Sequence, residues 1–176
     1  MYNSFKDTIA EAYQQVELFN EIASNLDNVT IDSLDNQLSF VFEELVETID
    51  ALESKDDKEY IDGLADIFVT VAVLLQKSEK AGYNVSDAIR LVNINNLSKF
   101  IPYHPYNSAK AAPTFVAQGT LFEYKFEQQP PNTEIEVSSH HSVIVFKDVD
   151  GKVKKPLNFV PVDLSGTYPD FLKGEV

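Results

Sequence analysis

Five acids lie close together in residues 42–75: Glu43, Glu44 and Glu47 in FEELVE, then Asp62 and Asp66 in IDGLAD, just as the chain turns strongly apolar. Carboxylates at such spacings can bind a hard divalent cation, activate a water, or simply line a solvated face. For an isolated EExxE on a helix the solvated face is the ordinary expectation, so the surroundings decide. At about 100° per residue, Asp62 and Asp66 share a stripe with Val69 and Val73, while Ile61, Leu64, Ile67, Phe68, Val71, Leu74 and Leu75 cover the other sides. A helix apolar on all sides is expected to be buried. Acids gathered there raise one another's pKa and carry a desolvation cost, which a divalent cation relieves. Oxygen-only donors with no His or Cys nearby favour Mg²⁺ or Mn²⁺ over zinc. Magnesium in turn favours phosphate oxygens, which makes a nucleoside polyphosphate the natural ligand.

Four helices are expected to position these groups. Apolar residues at spacings of three and four, from Ile9 to Leu26, predict a first helix over 5–26. Leu34, Leu38, Val41, Leu45, Ile49 and Leu52 predict a second over 34–53, with Asp32 or Ser33 as its N-cap. After the polar ESKDDKE a third is expected over 58–81, closed by Gly82. A fourth starts at Ser86 and must stop before Pro102. If helices two and three form an antiparallel hairpin turning between residues 54 and 55, Glu47 is level with Asp62 and Glu43 with Asp66. Beyond residue 101 lie all eight prolines and β-type runs at TLFEYKFE and SVIVFK, with QQPPNTE and DVDGK as turns. The fold class is therefore mainly α: a four-helix bundle over 1–101 and a loop-rich antiparallel β appendage over 102–176, packed on the bundle or on a neighbouring subunit.

Composition narrows the partners. With 44% hydrophobic and 24% charged residues the chain is an ordinary globular protein. A net charge of −14 argues against a nucleic-acid or anionic-membrane partner. Arg90 is the sole arginine, so any phosphate ligand must be met by lysines, backbone amides or metal ions. The absence of cysteine excludes disulfides, thiolate metal sites and a cysteine nucleophile. The N-terminus MYNSFKDTIAEAYQQ has no basic region followed by an apolar stretch, so a cytoplasmic protein is the default expectation.

EELVE, then DGLAD, then NNLSK at 95–99 resemble the MazG-like, all-α nucleoside triphosphate pyrophosphohydrolases, a group that also holds dimeric dUTPases and phosphoribosyl-ATP pyrophosphohydrolase. Small phage-type members are the nearest in pattern, with a DGKVLKP tail whose counterpart here is Asp150 to Pro156 followed by NFVPVDL. The matches span about 34–100 and 143–164. The resemblance implies Mg²⁺-dependent hydrolysis of an NTP or dNTP to the monophosphate and pyrophosphate, at a site that helices from two subunits often complete. The all-apolar third helix, which one hairpin and two helices do not cover, predicts a homodimer or homotetramer. If the chain is phage-encoded, the location is the host cytoplasm. The resemblance also implies that Glu44, Glu47 and Asp66 bind metal and that Glu43 is a ligand or the base that activates water. The family's ExxD motif has a glutamate where this chain has Gly63. Asp62, one position earlier and facing the same way, is the replacement. Asn96 and Lys99 match the family's NxSK segment as nucleotide contacts, and Asn93 stands where relatives often have histidine. His104, His140 and His141 read as surface or loop residues outside the site. The alternative to an enzyme is a catalytically silent helical bundle that binds a nucleotide or a partner protein, or a purely structural one.

Overall fold

A computed structural model describes residues 4–102, 129–138, 143–157 and 159–169. The TLFEYKFE run and the three histidines lie outside the described residues. Four helices come first: α1 (Phe5–Ile22), α2 (Ile31–Ser54), α3 (Asp57–Lys80) and α4 (Val85–Leu97). Four short strands follow, β1 (Ile101–Pro102), β2 (Glu134–Ser138), β3 (Val143–Lys147) and β4 (Val153–Lys154), and then a 3₁₀ turn at Ser165–Thr167. The expected helical protein with a small antiparallel sheet is what the structure contains. No helix among the described residues is long and apolar enough to cross a membrane.

The helix ends explain where the boundaries depart from the hydrophobic period. α1 starts in a capping box between Ser4 and Asp7. It stops at Ile22, four residues short of the expected Leu26, because Ser24 takes a left-handed φ of 55°. The Ser24 and Asn25 amides then close back on the Glu21 and Asn20 carbonyls at 3.2 and 2.9 Å. α2 begins three residues earlier than its apolar pattern, since Thr30, and not Asp32 or Ser33, caps it in a box with Ser33. It ends the same way as α1: Lys55 is left-handed, and the Lys55 and Asp56 amides reach the Leu52 and Ala51 carbonyls. Gly82, at φ 96°, terminates α3 one residue past Ala81. Asn84 caps α4 by accepting from the Asp87 amide at 3.0 Å, whereas Ser86 turns back to Glu79.

The chain divides into two compact units, Met1–Asp87 with Ser165–Val176, and Ala88–Leu164. In the first, α3 packs on both α1 and α2. Its apolar centre is small: Val16, Ala72 and Val73, with Tyr13 against them. Around it runs a buried amide network in which Asn20 donates to Gln76 at 2.8 Å and Gln37 donates to the Thr70 carbonyl at 3.1 Å. Satisfied amides of this kind fix helix register, because one left unpaired inside would cost more than the bond contributes.

In the second unit, β3 is the central strand. β2 pairs with its whole length, Val137 facing Ile144, while β1 and β4 share the other edge. Ile144 and Phe146 are completely buried and anchor one face of the sheet.

Candidate active site

The α2–α3 turn has Lys55 and Asp56 between the two helices, so the hairpin folds between these two residues and not between 54 and 55. Thr48 consequently lies against Gly63, and the carboxylate ladder shifts from the one expected. Glu47 is now level with Leu64, Asp66 with Leu45, and Glu44 with Ile67. Glu44 and Asp66 are then one residue from level across the hairpin, and the expected Glu47–Asp62 and Glu43–Asp66 pairs are each two residues out of level.

Electrostatics agree with that register. The Glu44 carboxyl is pushed above its ordinary value, first by burial and then by the charge of Asp66, with Glu47, Glu43 and Asp62 contributing less. Glu44 is half-buried, while Glu43, Glu47, Asp62 and Asp66 are exposed. Two hydroxyls hold the backbone here: Thr48 donates to the Glu44 carbonyl at 2.7 Å and Thr70 to the Asp66 carbonyl at 2.9 Å. These inward bonds give each acid a fixed point of departure while its carboxyl stays available.

The expectation that α3 is buried on all sides does not hold within one chain. Its buried residues are Gly63, against α2, and then Ala72, Val73 and Gln76 in the C-terminal half, while Ile61, Leu64 and Val69 are exposed. The reason is the short reach of the single-chain core, which is built around Val16, Ala72 and Val73. Among the described residues, no three acidic or histidine side chains converge closely enough to form a ready-made metal cage. The set is nonetheless chemically suited to a hard cation. It is all oxygen, and it contains a carboxyl, that of Glu44, whose pKa is raised by burial and then by its neighbours' charge. Glu43 and Glu47 also border a hollow of about 410 Å³ with Ser39, Phe42 and Val46.

Asn93, Asn96 and Lys99 belong to the second unit, where they line one hollow of about 350 Å³ with Leu97, Phe100 and Val153. Lys99 donates to the Asn96 side chain at 2.7 Å. Phe100 carried no signal in the sequence and Val153 was legible only as part of the 150–156 tail; only the fold brings β4 beside the NLSK segment. Asn95 is spent structurally, donating to the Val160 carbonyl at 2.8 Å. The DVDGK segment is a turn, as expected. Asp148 accepts from the Asp150 and Lys152 amides and pairs with Lys154 at 2.7 Å. The Lys154 contact, ahead of the Lys152 amide, holds the Asp148 carboxyl below its ordinary range.

Residues 16–88 match the phosphoribosyl-ATP pyrophosphohydrolase family. That segment contains all five acids and ends within the first turn of α4. No curated protein and no solved structure matches the chain.

Proposed function

Residues 16–88 are a domain of the phosphoribosyl-ATP pyrophosphohydrolase family, with the MazG-like all-α fold, and from that premise we propose that the protein hydrolyses a nucleoside triphosphate, with deoxynucleoside triphosphates favoured, to the monophosphate and pyrophosphate. The family's activity is pyrophosphohydrolysis of a nucleotide triphosphate, typically with a divalent metal. The observation that carries the reading is the Glu44–Asp66 juxtaposition, where burial and a facing carboxylate together raise the Glu44 pKa.

Glu44, Glu47, Asp62 and Asp66 would hold Mg²⁺, for which Mn²⁺ is the nearest substitute. When bound, such an ion shields polyphosphate charge and makes a water more acidic. Glu43 serves as the base: its carboxylate takes the proton as the water oxygen bonds to phosphorus at the α–β bridge. The bond from that phosphorus to the bridging oxygen breaks as pyrophosphate and monophosphate separate. Glu44 and Glu47 complete the catalytic acids by orienting the reacting groups, and the hydroxyl bond from Thr48 keeps the α2 backbone in place beneath them.

A second copy of the chain is part of the same reading. Leu38, Phe42, Leu45, Ile49 and Leu52 follow each other along α2 at spacings of four, three, four and three, and each is between 45% and 66% exposed. That is the seam of a helix that packs against another helix, and an exposed apolar stripe of this length marks an interface. A homodimer or homotetramer in the cytoplasm is the proposed working form. Glu47→Gln and Asp66→Asn test the site: each should lower turnover of (d)NTP by about a hundredfold or more, in line with the loss of a preorganised charge at a reacting centre. Full activity in both would remove the carboxylates from the mechanism.

A further inference from the structure

Within the Ala88–Leu164 unit lies a hollow of about 700 Å³ that the sequence did not announce. One wall is the face of the sheet on which Val143, Val145 and Lys147 alternate along β3. By register, Ser138 and Glu136 of β2 stand beside Val143 and Val145 on the same face. Val153 of β4 adds to it, and Leu97 with Phe100, from the end of α4 and the residues after it, completes the lining. The reverse face of β3 is fixed by the fully buried Ile144 and Phe146, so this wall is rigid.

Leu97, Phe100 and Val153 also line the smaller hollow that contains Asn93, Asn96 and Lys99. The two hollows therefore adjoin across a shared apolar wall. The larger falls within the size range of small-molecule sites, which runs to about 300–1,000 Å³, and has their composition, mostly apolar with a few polar groups at the edge. Those polar groups are the Ser138 hydroxyl and the Lys147–Glu136 pair, 2.6 Å apart. The smaller hollow supplies an ammonium and two amides in a chain whose net charge is −14. A flat ring with a polar edge, attached to an anion, fits both.

We propose that the larger hollow receives the base of a nucleotide, with Phe100 as its stacking surface, Ser138 and the Glu136–Lys147 pair reading the base edge, and Lys99 meeting the phosphate. This rests on the nucleotide chemistry proposed above and adds to it a base-discriminating hollow within the Ala88–Leu164 unit. An aromatic ring accepts any base by stacking, so discrimination falls to Ser138, which can donate or accept, and to Glu136 and Lys147, which accept and donate respectively.

The test is a titration of the full chain, labelled at Leu and Val methyls, with each nucleoside 5′-monophosphate in EDTA, followed by NMR. Binding should move the methyls of Leu97, Val143, Val145 and Val153. Phe100→Ala should weaken it by about tenfold or more, Phe100→Tyr should retain it, and Ser138→Ala should change the order of preference among bases. Unmoved methyls in the wild-type chain would overturn the proposal even if Phe100→Ala fails to fold. So would a folded Phe100→Ala that binds as wild type. If the methyls move but no triphosphate is hydrolysed, the hydrolase reading falls and the base site stands. If triphosphates are hydrolysed while the methyls stay still, the reverse holds.

Discussion

Gly63 of α3 lies against Thr48 of α2 so closely that a side-chain carbon at 63 would overlap the Thr48 hydroxyl and come within 3.2 and 3.3 Å of its Cβ and Cα. The residue that departs from the family's ExxD motif is thus a point of close contact in the hairpin that holds the acids. No glutamate can stand there in this register. Asp62, exposed one position earlier, is free of that constraint.

Substitution at Gly63 should therefore destabilise despite the better helix propensity of its replacement. Overpacking costs roughly 1–3 kcal/mol, against about 1 kcal/mol gained when alanine replaces glycine in a helix. Gly63→Ala is expected to lose up to about 2 kcal/mol net in urea denaturation, and Gly63→Glu more. A Gly63→Glu chain as stable as wild type would mean that the helices are not in contact at this point.

Glu44 sets a pH dependence. Its folded pKa is raised above the ordinary 4.5, so the folded state holds the proton more tightly than the unfolded state does. The associated stability is complete below about pH 4.5 and is lost as pH rises through the raised value. Glu44→Gln cannot ionise and escapes that loss. In EDTA it should melt at a higher temperature than wild type near pH 7 and at the same temperature near pH 4. A variant that melts lower at neutral pH would contradict the crowded-carboxylate picture.

Divalent metal should stabilise the fold. A ligand at about 100 times its Kd adds about 2.7 kcal/mol when it binds only the folded state. Mg²⁺ or Mn²⁺ should raise the wild-type melting temperature accordingly, and Asp66→Asn or Glu47→Gln should abolish most of the rise. Glu53→Gln, an exposed position at the end of the same helix, should leave it intact. Equal rises in all four proteins would assign the effect to general screening.

The apolar seam of α2 should bring copies together. Light scattering is expected to give at least twice the 19.8 kDa chain mass, and Leu45→Glu with Ile49→Glu should reduce it to one chain. A monomeric wild-type protein would leave five exposed large side chains without an explanation.

The periodicity of Leu34 to Leu52, and of Ile61 to Leu75, was enough to place α2 and α3 and to bring their acids onto one hairpin. It could not fix the register. That depends on Lys55 taking a left-handed conformation, which its side chain does not advertise as a glycine would. The same blind spot put the end of α1 at Leu26, because Ser24 closes the helix from the left-handed region. Ile61, Leu64 and Val69 read as core from their chemistry yet are exposed in one chain, since sequence pattern reports that a face is apolar and not which molecule covers it. Asn96 and Lys99 were legible as a motif, whereas Phe100 and Val153 became neighbours only through the pairing of β4 with β3.

The central claim is that the acids of the α2–α3 hairpin split a triphosphate between its α and β phosphates. Phosphorus NMR of the products, with Mg²⁺ and a panel of NTPs and dNTPs, tests this most directly. The predicted result is pyrophosphate and nucleoside monophosphate in equal amounts, absent in Glu47→Gln. Orthophosphate with nucleoside diphosphate, or no turnover of any nucleotide with either Mg²⁺ or Mn²⁺, would contradict it.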